Sequence, residues 1–93
     1  MTDPIWISDA EAVAINAHAI DLFGGLQAGV RDETLLQAAL ARPLNKWHYD
    51  EPHPDVFELA AAYAFALCKG RVFHAGNKRT SHAVAATFLE NNG

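Results

Sequence analysis

ELAAAYAFALCK, Glu58 to Lys69, is the stretch on which the fold turns. Ten residues without a charge run between its two charged ends. A helix that is apolar on one stripe lies on a surface, whereas one that is apolar all round is buried all round. The stretch therefore predicts a central helix over Val56–Lys69, wrapped by the rest of the chain. Asp55 and Glu58 form its N-terminal cap. Phe57, Tyr63 and Phe65 are expected in the core, and Cys68 as a buried, inert thiol.

Upstream, Asn45–Pro54 (NKWHYDEPHP) is polar, aromatic and twice interrupted by proline, which predicts an exposed loop or short flap. Trp47 and Tyr49 have two readings there: a flap that docks a target, or packing over the core edge. Before it, Asp32 caps a helix over Glu33–Ala41 with Leu35, Leu36, Ala39 and Leu40 on one face. Pro43 is expected to end that helix, because a residue before proline is pushed out of helical geometry. Ser8 and Glu11 form a capping box for a first helix that runs to Leu22 or Phe23. Its apolar face is read as Val13, Ala14, Ala17, Ile20 and Phe23, and Gly24-Gly25 is its stop.

Downstream, Gly70–Gly76 is a turn and Asn77–Asn91 a fourth helix, with Asn92-Gly93 as its C-cap. Val84, Phe88 and Leu89 make an apolar face on this helix. It is expected to be exposed, and so to need a partner chain, a further segment or self-association to cover it. Strand signals are weak, because β-branched residues are scattered and alternation is short. The fold class is therefore all-α.

A chain of 93 residues is a single domain with a modest core. Its hydrophobic content of 51% and charged content of 19% are those of a globular chain, not a disordered one. A formal net charge of -4 argues against a general nucleic-acid binder and against a polybasic membrane anchor. The acidic N-terminus lacks the apolar core of a secretory signal. No apolar run reaches the ~18–20 residues that span a bilayer. Cys68 is the only cysteine, so no internal disulfide forms, and a reducing, cytoplasmic setting is expected.

Three of the seven Lys/Arg residues fall within Arg71–Arg79. Gly76-Asn77-Lys78-Arg79-Thr80 opens the fourth helix. The first N–H groups of a helix have no partner inside it, and the helix dipole adds partial positive charge there. Such a terminus is a ready anion site. Gly76 lets the backbone come close. Asn77 is placed either to cap the helix or to bond a phosphate oxygen. Lys78 and Arg79 add two full charges, and Arg grips phosphate in bidentate fashion. The plain alternative is a turn followed by a solvated basic helix start.

The order of these residues resembles the signature of the Fic/Doc (Fido) superfamily, His-x-Phe-x-Asp/Glu-Gly-Asn. In its Doc branch Lys-Arg-Thr follows, and in its adenylyltransferase branch Gly-Arg. Within GRVFHAGNKRT (70–80), Phe73, Gly76, Asn77, Lys78, Arg79 and Thr80 match at the right spacing. GGLQAGVRDETLLQAALARP (24–43) is similar to the glycine-rich loop and second helix of Doc-type toxins. FELAAAYAFALCKG (57–70) is similar to their central helix, and TFLENNG (87–93) to the end of the motif helix. The resemblance implies a compact Fido-type helical bundle with a buried central helix and an anion-binding loop at a helix N-terminus. Doc-type proteins run further, so residues 1–93 are expected to be a single Fic/Doc-like domain lacking a C-terminal helical segment.

The resemblance also implies a function. The chain would be the toxin of a toxin–antitoxin module, with a Phd-like antitoxin as its partner. It would be a protein kinase that moves the γ-phosphate of ATP, with Mg²⁺, onto a threonine of translation elongation factor Tu and so blocks translation. Gly76, Asn77, Lys78 and Arg79 would hold the ATP phosphates, and Arg71, Lys78 and Arg79 would occupy catalytic positions. Lys78 stands where adenylyltransferases have glycine. A bulky cation there fills the seat of the α-phosphate, which favours γ-phosphate transfer over AMP transfer. An AMP-transferring Fic enzyme and a non-catalytic Fido binding module are the alternatives.

Two positions depart from the family pattern. Arg71 stands where the family has the general-base histidine. It stays protonated and accepts no proton, and base catalysis is worth roughly 10²–10⁴ in rate. Ala75 stands at the acidic position that binds Mg²⁺ and has no ligand atom, so metal binding is weakened and no metal ligand is assigned. Arg71 is either a degenerate position of a pseudo-enzyme or an inactivating substitution in a toxin that is hard to produce intact, and the second reading is preferred. His74 is the substitute base, although it is expected to point away.

Other residues have plain readings. His82 is a surface residue and His18 a boundary one. His48 and His53 make no metal site. Phe73 is a core anchor of the motif loop. Asp32 and Glu33 are a cap and a surface charge. Arg31 and Arg42 are solvated, or pair with acidic antitoxin residues.

Overall fold

In the computed structural model, which describes residues 3–23 and 27–93, the capping box is closed in both directions. Glu11 N–H donates to Ser8 Oγ at 3.1 Å and Ser8 N–H to Glu11 Oε1 at 3.0 Å. Helix α1 follows over Asp9–Phe23. The stop expected at Gly24-Gly25 lies outside the described residues. Asp32 caps α2 (Glu33–Tyr49) through Thr34 N–H at 2.8 Å. Asp55 caps α3 (Val56–Gly70) through Glu58 N–H at 2.8 Å. Helix α4 spans Asn77–Asn92. Among the described residues all four elements are helices, so the all-α class holds. Helix α3 packs between α2 and α4, and α1 lies mainly on α4.

Helix α2 does not stop at Pro43. It runs through the proline to Tyr49, so Asn45–Tyr49 is helix and not loop. Proline removes one N–H and crowds the carbonyl four residues back, at a cost of ~3 kcal/mol. Burial compensates: Pro43 and Trp47 are both buried. Trp47 packs edge-on to Trp6 at 6.5 Å between centroids and stacks on His53 at 3.9 Å. Trp47 therefore takes the core-edge reading, whereas Tyr49 is 83% exposed.

Helix α3 is central in order but not buried all round. Leu59, Ala60, Tyr63 and Leu67 face the core, whereas Phe57 and Phe65 are 69% and 56% exposed and Cys68 is exposed too. These three residues correct the core assignments made from the sequence. The stretch is apolar all round, but α2 and α4 flank only part of its circumference.

Helix α4 shows the reverse. Val84 and Phe88 are fully buried and Leu89 partly so, where an exposed patch was expected. Phe88 sits between Trp6 at 6.0 Å and Tyr63 at 5.2 Å. The N-terminal segment supplies the cover and is tied down by polar contacts. The Asn92 carboxamide accepts from Ile5 N–H at 2.6 Å and donates to Ile5 C=O at 3.0 Å. Ile7 N–H donates to the Tyr63 hydroxyl at 3.0 Å.

Helix α1 turns a different face inward than its apolar spacing predicts. Ala12, Asn16 and Ala19 are buried, whereas Val13 and Phe23 are exposed. The reason is polar: Asn16 is wanted inside, at the site described next.

Candidate anion-binding site

The site is built where three segments meet: the end of α3, the loop Gly29–Arg31 and the start of α4. Val30 and Phe73 pair as a short antiparallel bridge. Arg31 N–H donates to Val72 C=O at 2.8 Å and His74 N–H to Gly29 C=O at 3.0 Å. Val72 and Phe73 are buried, so the expected anchor role of Phe73 is real. The Asn77 carboxamide fixes Phe73 from the other side. It accepts from Phe73 N–H and donates to Phe73 C=O, both at 2.9 Å. Asn77 is therefore a clamp on its own loop, and it does not cap α4.

Gly76 precedes α4 with φ 71° and ψ 23°, the left-handed region. A Cβ there would also stand 3.0 Å from Ile20 Cδ1, so no other residue fits without displacement. Thr80 N–H returns to Gly76 C=O at 2.8 Å. Among the described residues no side chain caps this terminus, so the N–H groups of Asn77, Lys78 and Arg79 are left for an external acceptor. Lys78 and Arg79 are exposed beside them. The Arg79 guanidinium lies 3.6 Å above the Phe23 ring, a cation–π contact that holds the charge in place. Beyond Arg79 an apolar groove of about 360 Å³ runs between α1 and α4, past Ile15, Leu22 and Ala83.

Asn16 was not singled out from the sequence, yet it joins all three parts. Fully buried, it donates from Nδ2 to Ala75 C=O and to Thr80 Oγ1, both at 3.0 Å, and accepts from Gly29 N–H at 2.8 Å. A lone amide inside an alanine-rich helix is the signal that would have found it. Arg31 was read as a surface charge. Its Nε donates to Arg71 C=O at 2.9 Å, and its Nη2 reaches Gly70 C=O at 3.5 Å. It thereby covers carbonyls at the C-terminus of α3, where a cation is favoured.

Arg71 is the C-cap of α3, exposed, at φ 48° and ψ 52°. This left-handed conformation is uncommon for a residue with a Cβ. Ala75 offers its carbonyl to Asn16 and has no side-chain donor atom. Among the described residues no three of His, Cys, Asp or Glu come together. His82 is exposed, as expected, and His74 is exposed too. No described helix is long and apolar enough to cross a membrane.

The profile of the Fic/DOC family matches residues 6–89. The chain is 36% identical over 87 residues to the protein kinase doc of Escherichia phage P1, which covers 94% of this chain and 68% of that protein. It is 42% identical over 71 residues to the toxin Doc of Mycolicibacterium smegmatis, which covers 76% of this chain and 54% of that protein. The chain thus spans about two thirds of the first relative and about half of the second.

Proposed function

The chain belongs to the Fic/Doc family, and on that premise we propose that it is a Doc-like toxin whose anion site takes the phosphates of ATP. One observation carries the reading: a left-handed glycine opens an uncapped helix terminus with two cations beside it. The backbone N–H groups that open α4 and the neighbouring Lys78 and Arg79 side chains together favour an anion there. The Asn77 clamp keeps that terminus aligned with the Phe73 loop, so its part in phosphate binding is to orient the backbone. Lys78 favours presentation of the γ-phosphate.

The proposed reaction is transfer to a threonine hydroxyl of translation elongation factor Tu, which would block translation. The threonine oxygen forms a bond to the γ-phosphorus, the bond from that phosphorus to the β,γ-bridging oxygen breaks, and ADP leaves. The hydroxyl proton must go to a base. At the base position stands Arg71, which accepts none. The chain as written is therefore proposed to bind ATP and to turn over poorly. Any Mg²⁺ that arrives does so on the nucleotide. The proposed partner is a Phd-like antitoxin, and a cytoplasmic location fits a toxin aimed at translation.

A second reading, a non-catalytic Fido binding module, draws on the same two substitutions, Arg71 and Ala75. Restoring the base by Arg71→His separates the two. With γ-labelled ATP the variant is expected to label elongation factor Tu at least about 10²-fold faster than the parent chain. Label arriving from α-labelled ATP instead would mean AMP transfer. No label from either nucleotide, together with unimpaired growth of cells expressing the variant, would sink the kinase reading.

A further inference from the structure

The outer face of α3 has no part in the anion site. Phe57 and Phe65 stand out into solvent there, with the exposed Ala61 and Cys68 on the same side of the helix. At 3.6 residues per turn these four fall in one stripe, opposite the face that packs into the core. Two exposed charges flank it on one side, Glu58 near the N-terminal end and Lys69 near the C-terminal end. Lys69 Nζ lies 5.2 Å from the centre of the Phe65 ring. We propose that this face is an interface between two copies of the chain. In it the two α3 helices pack antiparallel about a twofold axis at the level of residue 63.

The stripe is its own complement. In an antiparallel helix pair each flank meets the same flank of the other helix, with the order of residues reversed. With the axis at residue 63, Phe65 of each copy falls opposite Ala61 of the other, a large side chain against a small one. Glu58 of each copy falls beside Lys69 of the other, and the twofold makes two such pairs. A parallel arrangement would set each flank against the opposite flank of the other helix, so Glu58 and Lys69, which share one flank, would not meet. Within one chain the two charges are ~16 Å apart along the helix and cannot serve each other. Among the described residues the ion pair formed is Lys46 with Asp50, at 2.7 Å. Ala61 near the axis allows the helices to approach to ~8–10 Å. Because each copy offers the same patch, the contact closes as a dimer and does not grow into a fibre.

Sedimentation equilibrium from about 1 μM to about 1 mM tests the proposal over the affinity range of such contacts. The mass is expected to rise from 10.1 kDa to twice that value. Phe65→Glu is expected to hold the chain at the monomer mass, with helix content unchanged by circular dichroism. Glu58→Lys and Lys69→Glu, each alone, place like charges opposite one another and weaken association about tenfold. The double variant recreates both pairs in reverse and returns to within about threefold of the parent. A chain that stays monomeric throughout overturns the proposal. So does a dimer indifferent to Phe65→Glu, or a double variant no better than the single ones.

Discussion

A buried amide in the middle of a helix is costly unless each of its polar atoms finds a partner. Asn16 meets that condition with bonds to Gly29, Ala75 and Thr80. These three partners lie in the two loops and the helix start that shape the anion site, so Asn16 holds the site together from behind. Asn16→Ala leaves Gly29 N–H and Ala75 C=O without their partner. We expect a loss of about 2–4 kcal/mol in urea unfolding. We also expect weaker binding of ATP by titration calorimetry, because the terminus of α4 is no longer fixed. Asn77 acts in the same way at closer range, through both backbone groups of Phe73. Of the residues at the site, Lys78 and Arg79 are the exposed charges, and the amides position the backbone.

Helix α2 shows how burial overrides local preference. Pro43 is a stop signal, yet the helix continues for more than a turn because Trp47 must reach Trp6 and His53. Trp47→Ala removes that demand. The expected cost is about 3–5 kcal/mol in urea unfolding. Amide exchange over Leu44–Tyr49 should become faster than over Glu33–Ala41, because the segment beyond Pro43 no longer has a reason to be helical. Equal protection on both sides of the proline would show that the turn beyond it is stable by itself. Helix α3 makes the opposite point. Its sequence asks for cover on all sides, and its neighbours provide cover on one, which leaves Phe57 and Phe65 for another copy.

For the molecule as a whole, the N-terminal segment closes the core over Phe88. Its two fastenings are the Asn92 amide at Ile5 and the Tyr63 hydroxyl at Ile7. Burial pushes the Tyr63 hydroxyl above its ordinary value of ~10, although the bond from Ile7 N–H opposes the shift. Below that value both the folded and unfolded chains keep the proton, and stability does not depend on it. Above it the unfolded chain ionises first, so stability falls as pH rises from ~10 towards the folded value. Lys46 is raised as well, chiefly by its hydrogen bond to Asp50, and loses its contribution in the same direction. In urea unfolding between about pH 9 and about pH 11, Tyr63→Phe should flatten the alkaline decline without abolishing it. It should also lower stability near neutral pH by about 1 kcal/mol, since Ile7 N–H loses its acceptor. A decline as steep as in the parent would mean that Tyr63 is not the group responsible.

Helix starts were legible in the chain because caps are local. Ser8, Asp32 and Asp55 each bond an N–H two or three residues ahead, and no distant contact is needed. The glycine and the two cations at the start of α4 were legible for the same reason, as was the motif that marks the family. The faces of the helices were not. Which side of α1 turns inward is decided by polar partners on two distant loops, and Asn16 wins over Val13 and Phe23. Whether α4 is exposed is decided by Trp6, far away in the chain. Whether α2 outlives its proline is decided by the burial of Trp47. Local hydrogen-bond geometry is written in neighbouring residues, whereas burial is a property of the assembled surfaces and exists only once the helices have met.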